Sequence, residues 1–111
     1  MKEILMKVTN KHIAEGVKED ECDCPIALSL NKSIQKHFDE EVFVSVYEDN
    51  INIHSLDDKF KKVICKIEPK NPEGWYTIGD FINEFDKGDV VYPFWLKMVF
   101  NPKQLINNKE K

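Results

Sequence analysis

The sequence VFVSVYEDNINIH at residues 42–54 decides the fold of this chain. Valines alternate through its first half and isoleucines through its second, which is the period of a β-strand. The polar residues 48–50 separate the halves, and Asp and Asn accept the left-handed backbone of a tight turn. We therefore predict a hairpin of two strands, 42–47 and 51–54. The alternation resumes at 63–67, which predicts a third strand of the same meander.

Two more strands are predicted at the ends of the chain. Residues 3–8 alternate apolar and charged side chains, as a half-buried strand does. Residues 92–100 are apolar on nearly both faces, which is typical of a strand inside a sheet, with Pro93 at its beginning. The two terminal strands are expected to pair with each other.

Helices are predicted on both sides of the meander. Thr9 or Asn10 caps a short helix that ends at Gly16, where a left-handed residue is expected. A long amphipathic helix at 24–39 then begins with Pro25, because proline is favoured in a first helical turn.

A last helix precedes the C-terminal strand. Thr77 and Asp80 resemble a capping box at its beginning, and Gly88 closes it. The element order is then β-α-α-β-β-β-α-β. It predicts an α+β fold of two layers, an antiparallel or mixed sheet of about five strands with the helices packed on one face.

Length and composition limit the classes of protein that fit. The chain has 111 residues, a formal charge of -4 and 16 basic side chains, all of them lysine. We predict a single domain over 1–102 and a polar, frayed tail over 103–111. No apolar stretch is long enough for a membrane span, and the three cysteines form no disulfide framework, so a cytoplasmic location is expected. An acidic chain without arginine argues against general nucleic-acid binding.

Several motifs resemble a known group of sequences. Residues 8–16, VTNKHIAEG, and residues 24–30, CPIALSL, are similar to the V-T-x-x-x-I-x-x-G and C-P-[IV]-A-L-A-L segments of a family of small uncharacterised phage and prophage proteins. Residues 81–94 are similar to the F-I-x-x-F-D-x-G-x-x-x-x-P-F pattern of that family. The resemblance covers about half the chain and implies a phage or mobile-element origin, with no chemistry attached.

Two clusters of polar residues suggest ligand sites. Thr9, His12 and Cys24 lie at the beginnings of two predicted helices, where unpaired N–H groups favour binding of an anion. Four nearby acidic residues would repel an anion. The alternative is that these three residues form a packed corner that caps the helices. Cys22 and Cys24 lack the spacing of common zinc sites, so no metal and no cofactor are predicted.

The one basic cluster lies around the third meander strand. It comprises Lys59, Lys61, Lys62 and Lys66. We interpret it as the protection of an edge strand against pairing with other sheets, with contact to a phosphate backbone as the alternative.

Aromatic residues point to a binding surface. If the valines of the hairpin face the helices, several aromatic side chains emerge on the opposite face or at its rim, and nothing in the chain is left to cover them. They are Phe43, Tyr47, Trp75, Tyr76 and Trp95. The alternative is that a curled sheet hides part of this set.

Three functional hypotheses follow. The preferred one is a small non-enzymatic phage protein that binds and modulates a host macromolecule, with a host protein expected, through this sheet face and the neighbouring acidic loop, residues 18–23. It would act alone or as a homodimer. The second is an oligomeric protein that sequesters a small nucleotide-like ligand, using Trp75, Tyr76 or Trp95 for stacking. The third is a small hydrolase. Enzymatic activity is left open, with the balance against it.

Overall fold

The computed structural model describes residues 1–56 and 63–102. Five strands and three helices follow one another in the predicted order. They are β1 (Lys2–Val8), α1 (Asn10–Glu15), α2 (Pro25–Gln35), β2 (Val42–Val46), β3 (Ile51–Ser55), β4 (Val63–Pro69), α3 (Gly74–Lys87) and β5 (Phe94–Phe100). The predicted α+β class and its element order are confirmed. The predicted tail, 103–111, lies outside the described residues.

The sheet is antiparallel throughout and curls around its helices. Its strand order is β1-β5-β4-β3-β2, so the terminal strands pair with each other as predicted, from Lys2 opposite Phe100 to Val8 opposite Phe94. Strand β5 lies between β1 and β4, which confirms it as an interior strand. Strand β4 is also interior, so the prediction that the lysine cluster protects an edge strand is wrong. Lys66 lies on β4, and Lys59, Lys61 and Lys62 lie outside the described residues.

The concave face of the sheet and the helices bury one hydrophobic core. Alternate residues of every strand point inward, and they meet the apolar stripe of α2 and one side of α3. The most deeply buried side chains include Met6, Val8, Ile26, Leu30, Ile34, Val44, Ile51, Ile53, Ile67, Ile78, Met98 and Phe100. Because strand side chains alternate between faces, this core leaves a second, convex face of the sheet toward solvent.

Helix α2 packs against both edge strands of the curled sheet, β1 and β2. The amide side chains of Asn31 and Gln35 on α2 also bond to the outer edge of β2, the edge that faces away from β3. The N–H of Val42 donates to Gln35 Oε1, and the N–H of Val44 donates to Asn31 Oδ1, both at 3.0 Å. The N–H of Val46 donates to the carbonyl of Glu21 at 2.8 Å. The three N–H groups that an incoming strand would need are therefore occupied.

Glycines at two junctions are required by close packing. A Cβ on Gly16 would lie 2.5 Å from Cδ of Pro25, and one on Gly74 would lie 2.6 Å from Cβ of Pro69. The predicted left-handed backbone at Gly16 is wrong, because its φ is -69°. Glycine is required there because Pro25 leaves no room for a side chain. Gly88 does close α3 in the left-handed conformation, with φ 85°.

Three local predictions fail for identifiable reasons. Helix α3 begins at Gly74 and has no side-chain cap, so the capping box at Thr77 and Asp80 is wrong, since both residues already lie inside the helix. Helix α2 ends at Gln35 rather than at 39 because the N–H groups of His37 and Phe38 bond three residues back, so a tighter 3₁₀-type turn replaces the α-helix there. The hairpin turn forms without a positive φ at Asp49 or Asn50.

The residues just after α2 pack on the C-terminal strand. The ring of His37 lies edge-on to Phe100, with 5.4 Å between ring centroids, and Phe38 stacks on the same ring at 6.1 Å. Burial, with the positive charges of Lys2 and Lys36, lowers the pKa of His37 below its ordinary value. Neutral imidazole is therefore the form that the fold favours.

This pKa predicts how stability responds to acid. The unfolded chain takes up a proton at His37 near its ordinary pKa of about 6.5, before the folded chain does. We expect the free energy of unfolding to fall as the pH drops from about 7.5 to about 5.5, and to fall less in His37→Gln. Urea unfolding at several pH values measures both. An equal fall in the two proteins would assign the effect to other groups.

Candidate functional site

The convex face of the sheet carries the most exposed tryptophan of the described chain. Trp95 of β5 is 61% exposed and lies opposite Lys7 of β1 in the ladder. Lys97 follows it on the same face, and the backbone of Lys70 bonds to that of Lys97 at 2.8 Å. An exposed indole thus lies among three lysines, and we name Trp95, Lys7, Lys70 and Lys97 the indole patch.

Two shallow depressions border this indole. One has a volume of about 630 Å³ and is lined by Trp95 with Pro69, Pro72 and both lysines of its side, Lys70 and Lys97. The other, of about 270 Å³, lies on the β1 side and includes Lys7 and Thr9. Trp95 lines both depressions, so its side chain borders open space on the β4 side and on the β1 side.

The charge of the indole patch is partly balanced. Glu3 of β1 forms an ion pair with Lys70, with 2.8 Å between carboxylate and ammonium. This bond lowers the pKa of Glu3. Lys7 and Lys97 have no such pair among the described residues. Leu5, which is 49% exposed and lies opposite Lys97, adds an apolar neighbour. The patch is therefore apolar at its centre and positive at its rim.

The other predicted aromatic residues do not join this patch. Phe43 is half-buried and stacks on His54, with 4.9 Å between ring centroids. Trp75 is half-buried beside the β2–β3 turn, and Tyr76 projects from α3 with 78% of its surface exposed. Tyr47 lines a separate cavity. The five aromatic residues thus occupy several parts of the surface, because Phe43 and Trp95 lie on separate strands, Tyr47 lies just after β2, and Trp75 and Tyr76 lie on α3.

The residues predicted for an anion pocket serve as helix caps. The hydroxyl of Thr9 accepts from the N–H of His12, whose Nδ1 in turn accepts from the N–H of Thr9 at 3.0 Å. Cys24 Sγ accepts from the N–H of Ala27 at 3.5 Å. Thr9 and Cys24 line different depressions. Their polar atoms already have partners, so the packed capping corner accounts for these residues.

A serine and a histidine meet on the convex face, but without a cleft. Ser45 Oγ lies 2.7 Å from His54 Nε2, a distance that suits a nucleophile and its base. Ser45 is buried, however, and neither residue lines any of four depressions found on the described part of the chain. Only 3% of Ser45 is exposed, so very little of its surface is open to a substrate. The bond is explained as a diagonal cross-strand contact that stabilises the hairpin.

The buried cysteines are poor nucleophiles. Burial raises the pKa of Cys24, and it raises that of Cys65 to about 11. Both thiols are therefore protonated at neutral pH, whereas the thiolate is the reactive form. Within residues 1–56 and 63–102, no group of three or more His, Cys, Asp or Glu side chains is arranged to hold a metal ion.

A cavity that the sequence did not indicate lies at the other end of the curled sheet. It has a volume of about 210 Å³ and lies between α3, the beginning of α2, the β2–β3 turn and the loop 19–21. Its apolar wall is formed by Cys24, Pro25, Val46, Tyr47, Phe81, Ile82 and Phe85. Its acidic rim is formed by Glu19, Asp20, Glu21, Glu48 and Asp86. We name it the acid-rimmed cavity.

The sequence predicts the acidic loop to be solvated and to take part in binding a host macromolecule, but it predicts no cavity beside the loop. The cavity depends on contacts between segments that are distant in sequence, as when Asp86 Oδ1 accepts from the N–H of Glu19 at 2.9 Å. One signal was available, because Phe81, Ile82 and Phe85 form an apolar stripe that ends at Asp86. Nothing in the sequence placed that stripe beside residues 19–21.

Comparison with known protein families, curated proteins and solved structures gives no match. Among the helices of the described residues, none has the length and apolar character needed to cross a bilayer.

Proposed function

We propose that this chain is a small non-enzymatic binding protein that docks a partner protein through the indole patch. The observation that carries the proposal is Trp95, a large aromatic side chain that is 61% exposed on a rigid interior strand. Tryptophan is enriched among the residues that dominate binding energy at interfaces. A strand held by neighbours on both sides loses little conformational entropy when its side chain is covered.

Charge argues for the chemistry of the partner. Lys7 and Lys97 border the indole and form no direct ion pair in the described chain, although Lys97 helps to lower the pKa of nearby Glu3 and the protein as a whole has a charge of -4. A partner segment with an apolar side chain between acidic residues would cover the indole and pair with both lysines. The phage origin and the host identity of this partner are proposals that rest on the motif resemblance alone.

A second candidate function has one observation in its favour. The depression of about 630 Å³ beside Trp95 has a volume typical of small-molecule sites, and Lys70 and Lys97 border it. A nucleotide-like ligand would stack on the indole and place its phosphate near the lysines. We rank it second because the depression is shallow and open.

Fluorescence tests the two candidates directly. In a Trp75→Phe background, Trp95 is the one remaining tryptophan and reports on its own surroundings. We expect its emission to change on titration with a peptide that has one phenylalanine among glutamates. The same peptide with lysines in place of the glutamates should bind at least about tenfold more weakly, because the lysines of the patch then repel it. A nucleoside diphosphate tests the second candidate.

A matched pair of variants separates local contact from overall charge. Lys97→Glu is expected to weaken binding of the acidic peptide, whereas Lys87→Glu changes the net charge equally but lies at the end of α3. Binding that tolerates Lys97→Glu, or that is equally strong for both peptides, contradicts the proposed site. Tighter binding of the nucleotide than of the acidic peptide would reverse the ranking of the two functions.

A further inference from the structure

The acid-rimmed cavity combines an apolar wall with a rim of one charge. Phe81, Ile82 and Phe85 of α3 face Pro25 and Val46 across it. Five carboxylates surround the mouth, and none of the residues that line it is basic. An apolar cavity with carboxylates at its opening is complementary to a side chain that has an aliphatic stem and a cationic end.

Not all five carboxylates are equally available. Asp20 Oδ1 accepts from the N–H groups of Cys22 and Asp23 at 3.0 and 3.1 Å, and Asp86 Oδ1 accepts from the N–H of Glu19. These two acids hold the loop in shape.

The other three have charges that remain unpaired. The carboxylates of Glu19, Glu21 and Glu48 make no hydrogen bond or ion pair with any part of the chain that the structure describes. The ammonium of Lys18 lies above Gly88, 2.9 Å from where a Cβ there would be, and Lys18 does not line the cavity. Within residues 1–56 and 63–102, no lysine or histidine lines the mouth.

The volume limits what can enter. About 210 Å³ lies below the roughly 300–1,000 Å³ of sites for drug-sized ligands, so a nucleotide is too large. One long side chain is of suitable size. Tyr47 forms part of the wall and is 44% exposed, which leaves a π face for an ammonium group.

We propose that the acid-rimmed cavity is a docking site for a lysine side chain of a partner protein. The methylene stem would lie against Phe81, Phe85 and Val46, and the ammonium would meet the carboxylates of Glu21 and Glu48. A lysine suits this rim better than an arginine, because a compact ammonium can lie between two separate carboxylates, whereas the planar guanidinium fork is best satisfied by both oxygens of one carboxylate.

The backbone of Glu19 indicates that the rim is preorganised. Glu19 is the one residue other than glycine with a positive φ, 56°, among residues 1–56 and 63–102. Such a conformation costs energy and persists only where surrounding contacts maintain it. Here the bond from its N–H to Asp86 maintains it. The rim is thus fixed before any ligand arrives, which lowers the entropy cost of binding.

Titration monitored by amide chemical shifts tests this proposal with the whole chain. The probe is N-acetyl-lysine methylamide, and its uncharged counterpart is N-acetyl-norleucine methylamide, which has nearly the same apolar stem. We expect the lysine probe to shift amides within 19–24, 46–48 and 81–86. The norleucine probe should bind at least about threefold more weakly, because its uncharged stem cannot pair with the rim carboxylates.

Two double variants localise the effect. Glu21→Gln with Glu48→Gln is expected to weaken binding of the lysine probe at least about threefold. Glu15→Gln with Glu68→Gln removes the same charge from α1 and from the convex face, and it should leave binding unchanged. The spectrum of each variant also shows whether it is folded.

Several outcomes would overturn the proposal. They are equal affinity for the two probes, equal weakening by the two double variants, or shifts that map to the indole patch instead of the cavity. These results concern a different end of the molecule from Trp95, so they leave the proposed function of the indole patch to its own test.

Discussion

Replacing Phe100 with alanine is expected to lower the free energy of unfolding by about 3–5 kcal/mol, the range for a buried phenylalanine. Its ring is almost completely buried, at 2% exposure, and it is the largest of the fully buried side chains. It packs on Phe38 and His37, while its backbone lies between Lys2 of β1 and Ile67 of β4. The substitution would therefore remove the contact that holds the end of α2 to the centre of the sheet.

Chemical unfolding monitored by circular dichroism measures this loss. Val99→Ala is the matched control, because Val99 is the preceding residue of β5 and points to the convex face, where it is half-buried. We expect a loss of about 1 kcal/mol or less there, since fewer buried contacts are removed. Similar losses for the two variants would mean that the core does not centre on Phe100.

The second large effect is expected from the amide side chains of α2 that bond to β2. Replacing both Asn31 and Gln35 with alanine leaves the N–H groups of Val42 and Val44 without these partners. Both bonds are only partly buried, and an internal hydrogen bond of this kind contributes about 0.5–1.5 kcal/mol, so the double variant should lose about 1–3 kcal/mol. The freed edge is also expected to pair with other chains.

Two measurements are needed for this variant. Urea unfolding gives the stability, and sedimentation over a range of protein concentrations gives the tendency to associate. Lys32→Ala with Lys36→Ala is the control, because both lysines are exposed on the same helix and have no bond to β2. If the control associates as much as the Asn31 and Gln35 variant, lost surface charge rather than an open edge is responsible.

The occupied edge of β2 bears on how this protein binds. A partner that added a strand to β2 would first have to displace Asn31, Gln35 and the carbonyl of Glu21 from the N–H groups of the edge. Docking through side chains on the convex face requires no such exchange. This is a physical reason to place the proposed interface at Trp95 rather than at this edge.

The two proposed sites have opposite charge. Lysines border Trp95, whereas glutamates and aspartates surround the acid-rimmed cavity. A partner that used both would need an acidic segment and a basic one, and it would be selected by both attraction and repulsion. Because exposed charges are screened at high salt, we expect binding at either site to weaken as ionic strength rises.

Much of the architecture was determined by the sequence alone. Alternation at residues 42–54 predicts the hairpin, and the apolar run near Phe100 predicts an interior strand, because these patterns depend only on which neighbours along the chain share a face. The cap at Thr9 and the closure at Gly88 were also predicted, since each depends on chemistry within a few residues.

The tertiary structure alone decided the features that depend on distant segments. Gly16 is required by Pro25, the edge of β2 is bonded by a helix, and the acid-rimmed cavity forms only when α3 lies beside residues 19–21. The fold also separated the aromatic residues that the sequence grouped together, because Trp75 and Tyr76 lie on α3 whereas Trp95 lies on β5. The physical reason is that periodicity fixes the face on which a side chain lies, whereas the neighbours it meets there are set by how the whole chain packs.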